Sequence, residues 1–327
     1  RHRRLEAGAR LLQERADVQR LHPTPQLGGG QGRRHRQLPH PAARIGEAPR
    51  PCLLGSLDTR SRPGSPAKRL HRTPGPLAGP VPGGGVDPRV VWGLDGGTPL
   101  GAPPLSVREY NRTVADFTND HDELTGFVTV DPRREFAVDL VRTALDDWGM
   151  EGLKLHPTSG FHLHDPETYR LLQLCTERDA PVLTDSGPIA APLYSKYSHP
   201  THVDEVVTDF PELDLVVAHL SLGWWRELLA VADVNVNTRL RVDVSGWQGR
   251  AEEYPEEFAT AVRRFVDALG ADRVHWGTDD PAFDAAYPKE AWLDATRALA
   301  DREDEHALTT AELEQVLGGG AAELLDV

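Results

Sequence analysis

The sequence predicts an α/β fold, a (β/α)8 barrel whose first strand is missing or scrambled. Seven segments are hydrophobic enough to be buried strands, and most are followed by a polar residue and a helical pattern. Hydrophobic strands that alternate with helices are typical of a parallel sheet. Seven strands are one fewer than a closed barrel contains. The predicted strands are residues 90–94, 125–130, 152–156, 181–185, 213–219, 240–244 and 273–279.

Helix-start and helix-stop signals separate these strands. Ser106 begins one helical pattern, and Thr309 with Glu312 has the spacing of a capping box. Asp165 is predicted to cap the helix that Pro166 begins, and Gly270 ends another. The predicted helices are residues 106–119, 134–147, 166–178, 203–210, 224–231, 255–270, 291–299, 310–317 and 321–325.

Charge divides the chain into two parts. Residues 1–90 contain 17 Lys and Arg against 6 Asp and Glu, whereas the remainder contains 19 against 44. We therefore predict an atypical basic segment rich in Arg, Pro and Gly over residues 1–85 and an acidic barrel domain over residues 86–327. An acidic surface argues against nucleic acid as a partner of the barrel, because phosphates would be repelled. A small-molecule substrate is the expected partner.

The basic segment has three interpretations. Its composition is typical of disorder, and its charge is typical of an arm that binds nucleic acid or an acidic partner. In a GC-rich gene, however, Asp codons read one base out of frame become Arg codons. We favour an out-of-frame translation of an acidic N-terminus, since the segment is long enough for a strand, a loop and a helix. Sequencing the gene upstream of the Val86 codon tests this hypothesis.

The remaining composition predicts a cytoplasmic protein without membrane association. No apolar run approaches the roughly 20 residues needed to cross a bilayer, and the N-terminus lacks the apolar region of a signal peptide. The two cysteines, Cys52 and Cys175, cannot form a disulfide framework. Cys175 lies in an amphipathic pattern and is expected to be a small core residue.

Polar residues stand at or just past the ends of five predicted strands. In parallel α/β folds, the chemistry lies at the carboxyl ends of the strands. Any single residue of this kind is more commonly a hydrogen-bonded core group or a loop cap. Several histidines and aspartates on one rim favour an active site. The five residues are His156, Asp185, His219, Asp243 and Asp279.

Five motifs in order resemble the amidohydrolase-2 family, which includes aminocarboxymuconate-semialdehyde decarboxylase. The resemblance covers residues 86–327 and implies a TIM-like barrel of the metal-dependent hydrolase type. It also implies one divalent metal ion, usually zinc, held in part by a His-x-His pair on the first strand. The motifs are Gly-Leu-Lys-Leu-His-Pro at 152–157, Pro-Val-Leu-Thr-Asp-Ser-Gly at 181–187, Phe-Pro-Glu-Leu at 210–213 followed by Ala-His-Leu at 218–220, Gly-Thr-Asp-Asp-Pro at 277–281 and Leu-Gly-Gly-Gly-Ala-Ala at 317–322.

The resemblance assigns the catalytic roles to two residues. His219 matches the acid/base histidine, and Asp279 matches the aspartate that completes the metal shell or takes a proton. Asp185 stands where the family has a third metal-binding histidine. The predicted metal ligands are therefore Asp185, His219 and Asp279, a set that is poor for zinc because carboxylates favour harder cations.

The sequence departs from the family pattern in two further ways. Residues 1–85 contain no His-x-His, and the pair formed by His162 and His164 follows the third strand instead. We interpret this pair as part of a substrate-side or surface loop. Gly320 stands where the family has asparagine, which weakens a helix cap without affecting chemistry.

Three residues are candidates for substrate binding. His156 could bind a substrate carboxylate or stabilise an oxyanion. Lys154 resembles a strand lysine that some amidohydrolases carbamylate to bridge two metals, although a pocket or packing role fits this chain better. Trp247 could wall an aromatic pocket, and helix packing is an equally good account of it.

The expected function is metal-dependent hydrolysis of a small carbonyl or carboxylate compound. The same residues and metal ion would also support non-oxidative decarboxylation of an unsaturated or aromatic acid. A third possibility is a catalytically inactive barrel, or a binding protein with a basic N-terminal arm. A homodimer is implied by the resemblance alone.

Overall fold

The computed structural model describes residues 89–100, 105–280 and 287–327. All of them belong to one compact unit, Pro51–Val327. The predicted basic segment, residues 1–85, lies outside the described residues, and so does Cys52.

The described part of the chain contains one sheet of seven parallel strands. Each strand pairs with the next in sequence, from the first to the seventh. The seven predicted strands are confirmed; β2 keeps its predicted length with a shift of one residue, and the other six are shorter than predicted. They are β1 Arg89–Trp92, β2 Leu124–Thr129, β3 Gly152–Leu155, β4 Val182–Thr184, β5 Leu215–Val217, β6 Leu240–Asp243 and β7 Val274–His275.

Helices connect the strands and cover one face of the sheet. Ser106 caps α2 through a capping box with Glu109, and Thr309 with Glu312 forms the predicted box on α10. Gly270 ends α8 with a positive φ of 96°. The helices are α1 Gly97–Leu100, α2 Val107–Asn119, α3 Ala137–Asp147, α4 Pro166–Thr176, α5 Thr201–Asp209, α6 Trp225–Val234, α7 Gln248–Glu253, α8 Pro255–Leu269, α9 Lys289–Arg297, α10 Thr310–Glu314 and α11 Gly320–Leu325.

The two faces of the strands carry different side chains. Leu153 and Leu155 belong to the large core between sheet and helices, whereas Phe127 and Leu183 belong to a small cluster on the opposite face. Because side chains alternate along a strand, Lys154 faces the same side as that small cluster. The inner face of the sheet is therefore apolar at one level and charged at another.

The structure corrects one predicted helix cap and explains the glycine at position 320. The side chain of Asp165 does not cap α4, because its Oδ2 accepts a hydrogen bond from the backbone N–H of His162 at 2.7 Å. A Cβ at Gly320 would lie 2.2 Å from the carbonyl oxygen of Asp272. The side chain that the family resemblance leads one to expect at Gly320 would not fit this backbone. Cys175 is buried, as predicted.

The sheet is not closed within the described residues. There, β1 pairs with β2 alone and β7 pairs with β6 alone. The arrangement is that of seven consecutive strands of a barrel, with the carboxyl ends on one rim. No helix in the described part of the chain is both long and apolar enough to cross a bilayer.

Candidate active site at the carboxyl ends of the strands

Asp185 is the centre of a cluster of ionisable groups inside the sheet. It directly follows β4, two residues beyond Leu183, and therefore faces the inner side. Its Oδ1 accepts a hydrogen bond from Lys154 Nζ at 2.5 Å, and His156 Nε2 lies 2.6 Å from Oδ2. Burial raises the pKa of Asp185, but the charges of His156 and Lys154 outweigh it and hold the pKa well below its usual range. Asp185 is thus an anion held by Lys154 and His156.

His219 follows β5 and is oriented by residues at the end of β6. Its Nδ1 lies 3.1 Å from the carbonyl oxygen of Ser245 and 2.9 Å from Ser245 Oγ. Because a carbonyl only accepts, Nδ1 carries the proton. Asp243 Oδ1 accepts from the N–H of His219 and from the N–H and Oγ of Ser245, at 3.0, 2.9 and 2.5 Å. His219 Nε2 takes no part in these contacts and is available for proton transfer. It lies 3.7 Å from Asp185 Oδ1.

The charge of His219 is favoured by its anionic neighbours. Burial lowers the pKa of this imidazole, but Asp185, whose Oδ1 lies 3.7 Å from Nε2, and the charges of Asp243 and Asp279 together raise it to about 9. A histidine with this pKa is protonated at neutral pH. It can therefore donate a proton from Nε2 to a leaving group.

The backbone at His219 is held in an uncommon conformation. Residues 219–222 all have positive φ, at 66°, 44°, 57° and 48°. Non-glycine residues in this region cost about 1–3 kcal/mol each, and such strain clusters at functional sites. Ser221 Oγ lies 2.5 Å from Ser186 Oγ, and a Cβ on Gly246 would lie 3.1 Å from His219 Nδ1. Close packing on both sides keeps His219 in this turn.

Asp279 completes the rim just past β7. It also has a positive φ, 53°. Burial raises the pKa of its carboxyl above the ordinary value, the charge of His219 opposes the rise, and the charge of Asp185 adds to it. Gln248 donates to the carbonyl oxygen of Thr278 at 2.7 Å, and the indole of Trp292 donates to that of Gly277 at 2.8 Å. The segment that carries Asp279 is thus fixed from two helices.

The predicted metal ligands do not, as placed, fit a zinc ion. Asp185 Oδ1 lies 2.5 Å from Lys154 Nζ and Oδ2 lies 2.6 Å from His156 Nε2, so an ion would have to compete with both groups for this carboxylate. Among the described residues, Asp185, His219 and Asp279 do not form a group whose ligand atoms lie within 4.8 Å of one another. Such a group is formed by His162, His164 and Asp165. A metal bound by Asp185, His219 and Asp279 stays a prediction.

The three predicted substrate-binding residues lie in different surroundings. Lys154 and His156 converge on Asp185, and Lys154 Nζ also lies 5.1 Å from the centre of the Trp92 ring. Trp247 is fully buried, and its indole N–H donates to the carbonyl oxygen of His219 at 2.7 Å. In this position Trp247 supports the turn of His219, and its predicted contact with substrate stays a prediction.

Sequence reasoning missed two residues of the inner face. Ser245 was not singled out, although alternation places it on the same face as Asp243. His275 on β7 is buried, and neither of its nitrogens has a hydrogen-bond partner. Burial, with the charge of Arg241, lowers the pKa of His275 to about 4. The signal for His275 was a polar residue beside apolar neighbours in a predicted strand, and the signal for Ser245 was alternation from Asp243.

Comparison with known proteins assigns the chain to a family. A family model described as "Amidohydrolase", that of the amidohydrolase-2 family, matches residues 40–327. The chain belongs to the amidohydrolase-2 family. The resemblance read from the five motifs is therefore confirmed, and the match begins upstream of residue 86. Comparison with functionally curated proteins gave no match.

Solved structures of amidohydrolases share the fold. An uncharacterised TIM-barrel protein from Bordetella bronchiseptica is 25% identical, with a TM-score of 0.52, over 66% of this chain and 72% of its own. A probable 2-pyrone-4,6-dicarboxylic acid hydrolase from Acinetobacter baumannii, solved with citric acid, is 16% identical, with a TM-score of 0.51, over 73% and 83%. A Burkholderia multivorans amidohydrolase with bound zinc is 16% identical, with a TM-score of 0.50, over 67% and 80%. The TIM-barrel fold class is thereby confirmed.

Proposed function

We propose that this amidohydrolase-2 protein is a hydrolase that acts on a small carbonyl compound bearing a carboxylate. The observation that carries the proposal is the orientation of His219. Its Nδ1 is fixed by Ser245, its Nε2 faces the inner side of the sheet, and its pKa is raised to about 9. A histidine held in this way is suited to general acid catalysis.

The cations around Asp185 support a carboxylate in the substrate. Lys154 is almost fully buried, and Asp185 is the anion that compensates its charge. A substrate carboxylate could bind Lys154 and His156 together with Asp185, or it could take the place of the Asp185 carboxylate beside these two residues. The Acinetobacter baumannii neighbour is described as a dicarboxylic acid hydrolase and holds citric acid, which is consistent with this substrate class.

The proposed reaction uses two proton transfers. Asp279 takes a proton from water as the water oxygen bonds to the carbonyl carbon of an ester, lactone or amide. His219 gives a proton from Nε2 to the leaving oxygen or nitrogen as the bond to that carbon breaks. Asp279 and His219 lie close enough for each charge to act on the other's pKa. Returning the proton from Asp279 to His219 completes the cycle.

The experiment is a hydrolysis assay with paired substrates, with and without a carboxylate. We expect turnover of the carboxylate-bearing lactones and esters, and its loss in His219→Gln and Asp279→Asn. His121→Gln is the matched control, because His121 precedes β2 and so lies at the opposite end of the sheet. Activity that is independent of His219 and Asp279 would overturn the proposal. Release of CO₂ instead of a hydrolysis product would favour the decarboxylase alternative, and no turnover would favour an inactive barrel.

Dependence on a metal is a separate part of the test. The family resemblance implies a divalent ion, whereas Asp185 is engaged by Lys154 and His156. Assaying the same protein before and after dialysis against a chelator, with metal content measured each time, decides this point. Activity that falls with the metal and returns with zinc would support a metal-dependent reaction, and loss of that metal in Asp185→Asn would support the predicted ligand set of Asp185, His219 and Asp279.

A further inference from the structure

Three histidines from two separate segments, a loop and a helix start, meet on the rim of the sheet, outside the cluster at Asp185. His162 and His164 lie between β3 and α4, and His202 lies in the first turn of α5. The ring centres of His162 and His164 are 5.1 Å apart, and the ring of His202 lies 4.8 and 5.0 Å from them. Three imidazoles in contact place several potential metal-ligand nitrogens in one small volume.

A carboxylate stands beside these rings. Asp165 Oδ1 lies 3.7 Å from His162 Nδ1. The ligand atoms of His162, His164 and Asp165 all lie within 4.8 Å of one another. Zinc–ligand bonds of about 2.1 Å place the ligand atoms of a tetrahedral site about 3.4 Å apart. The three residues thus need to close by roughly an ångström, which rotation of half-buried side chains can supply.

Two of the imidazoles have a nitrogen with an available lone pair, which a metal ligand requires. His164 Nδ1 is buried without a hydrogen-bond partner, and the nearest carboxylate oxygen, from Glu205, is 3.7 Å away. His202 Nε2 lies 2.9 Å from the carbonyl oxygen of Lys196. Because a carbonyl only accepts, Nε2 carries the proton and Nδ1 has the lone pair. Metal-binding histidines commonly donate their second N–H to a carbonyl in this manner.

The surrounding contacts fix the ligands in place. Asp165 Oδ2 accepts from the backbone N–H of His162 at 2.7 Å, and Thr168 Oγ donates to the carbonyl oxygen of His162 at 3.0 Å. His202 lies outside the group of ligand atoms within 4.8 Å, so its ring must turn Nδ1 towards the other three residues to complete a four-coordinate site. Three imidazoles and one carboxylate are the ligand types of zinc.

We propose that His162, His164, His202 and Asp165 form a structural zinc site that fastens the loop after β3 to the start of α5. A structural zinc site is closed and four-coordinate. This one would connect the loop after β3 to the first turn of α5 on the rim that holds the active site. The proposal is independent of the proposed function, since none of these residues contacts Asp185, His219 or Asp279 in a hydrogen bond or ion pair among the described residues.

The test is zinc titration of the untagged full-length chain by calorimetry, with metal content measured after gel filtration. We expect one tight equivalent of zinc that is lost in His164→Ala and in His202→Ala. His199→Ala is the matched control: its ring is 6.5 Å from that of His202, and its Nδ1 is already paired with Thr201. The zinc equivalent is expected to remain in this control and in Asp185→Asn.

Cobalt substitution provides the second measurement. Four-coordinate Co²⁺ absorbs visible light strongly, and we expect this band in the wild type and in Asp185→Asn but not in His164→Ala. A zinc equivalent that survives His164→Ala and is lost in Asp185→Asn would overturn the proposal, because the ion would then sit in the predicted active-site position. Absence of tight zinc binding by the wild type would also overturn it. Circular dichroism of His164→Ala shows whether the variant is folded.

Discussion

At the scale of single residues, the sequence predicted which polar side chains lie at the site but not which residues they contact. Asp185, His219 and Asp279 could be predicted because each follows a hydrophobic strand, where parallel folds place their chemistry. The pairing of His219 with Ser245 could not, because it depends on which rim residues become neighbours when the sheet curves. The same reason hid the meeting of His202 with His164, which are 38 positions apart in sequence.

His219 makes stability depend on pH in the alkaline range. Its pKa in the folded chain is about 9, above the value of about 6.5 in an unfolded chain. The stabilisation is therefore complete below about pH 6.5 and is lost as the pH rises through about 9, by on the order of 3 kcal/mol. We expect His219→Gln to lose less stability than the wild type between pH 6.5 and 9.5 in urea unfolding. Parallel loss in both proteins would contradict the raised pKa.

His275 acts in the opposite direction, in the acidic range. Its pKa in the folded chain is about 4, below the unfolded value of about 6.5, so stability falls as the pH drops from about 6.5 to about 4. Its nitrogens are buried without partners, and removing such a group can be neutral or stabilising. We expect His275→Leu to raise the melting temperature at pH 7 and to flatten its decline towards pH 4.5.

A control for this variant is His306→Leu. The His306 ring is partly exposed, and its Nε2 lies 3.1 Å from Thr260 Oγ. We expect a small loss of stability from that change at both pH values. A melting temperature of His275→Leu that is lower than that of the wild type at pH 4.5 would show that the imidazole has a partner in solution.

At the scale of elements, hydrophobicity located each strand but overestimated the length of every strand except β2. Residues 213–219 were predicted as one strand, whereas β5 is Leu215–Val217 and the chain then enters the left-handed turn at His219. Residues 273–279 shortened to β7, Val274–His275, because the N–H of the next residue, Trp276, donates to the carbonyl oxygen of Val316 outside the sheet. An apolar pattern does not show where the strand pairing stops.

A buried ion pair joins the end of β1 to the segment before α3. Asp95 is 4% exposed and accepts two hydrogen bonds from Arg134, at 2.6 and 2.7 Å. Removing one partner of a buried pair leaves an uncompensated charge, which costs about 3–5 kcal/mol. Asp95 keeps its bond from the N–H of Asp131, so we expect Arg134→Met to cost about 2–3 kcal/mol in urea unfolding.

The matched control is Arg142→Met on α3. Arg142 pairs with Asp139 at 2.7 Å, but both side chains are largely exposed, and exposed pairs contribute about 0–1 kcal/mol. The hydrogen bonds from Arg134 and Asp131 lower the pKa of Asp95 although burial opposes them. The cost of Arg134→Met should therefore shrink as the pH falls and Asp95 is protonated. Equal costs for the two variants would show that the Asp95 pair is open to solvent.

At the scale of the whole molecule, the sequence predicted a barrel and left its closure open. The described strands run in order from β1 to β7, and the family match begins at residue 40, before β1. The division of the chain at residue 85 stays a prediction, and so does the homodimer. What decides both is whether another strand, from residues before β1 or from a second chain, lies against the outer edge of β1.

Deuterium exchange of the β1 amide protons tests whether another strand lies against the outer edge of β1. Arg89 N–H donates towards β2, to the carbonyl oxygen of Glu123, and alternate residues of a parallel strand donate to opposite sides. Val90 and Trp92 N–H therefore point to the outer edge. Because residues 1–85 contain no strand-like pattern, we expect these two amides to exchange with deuterium much faster than those of Leu153 and Leu183 in the middle of the sheet. Protection that is independent of protein concentration would mean that the chain's own N-terminal part supplies the eighth strand. Protection that grows with concentration would place a second copy at this edge, since only an interface between chains follows mass action.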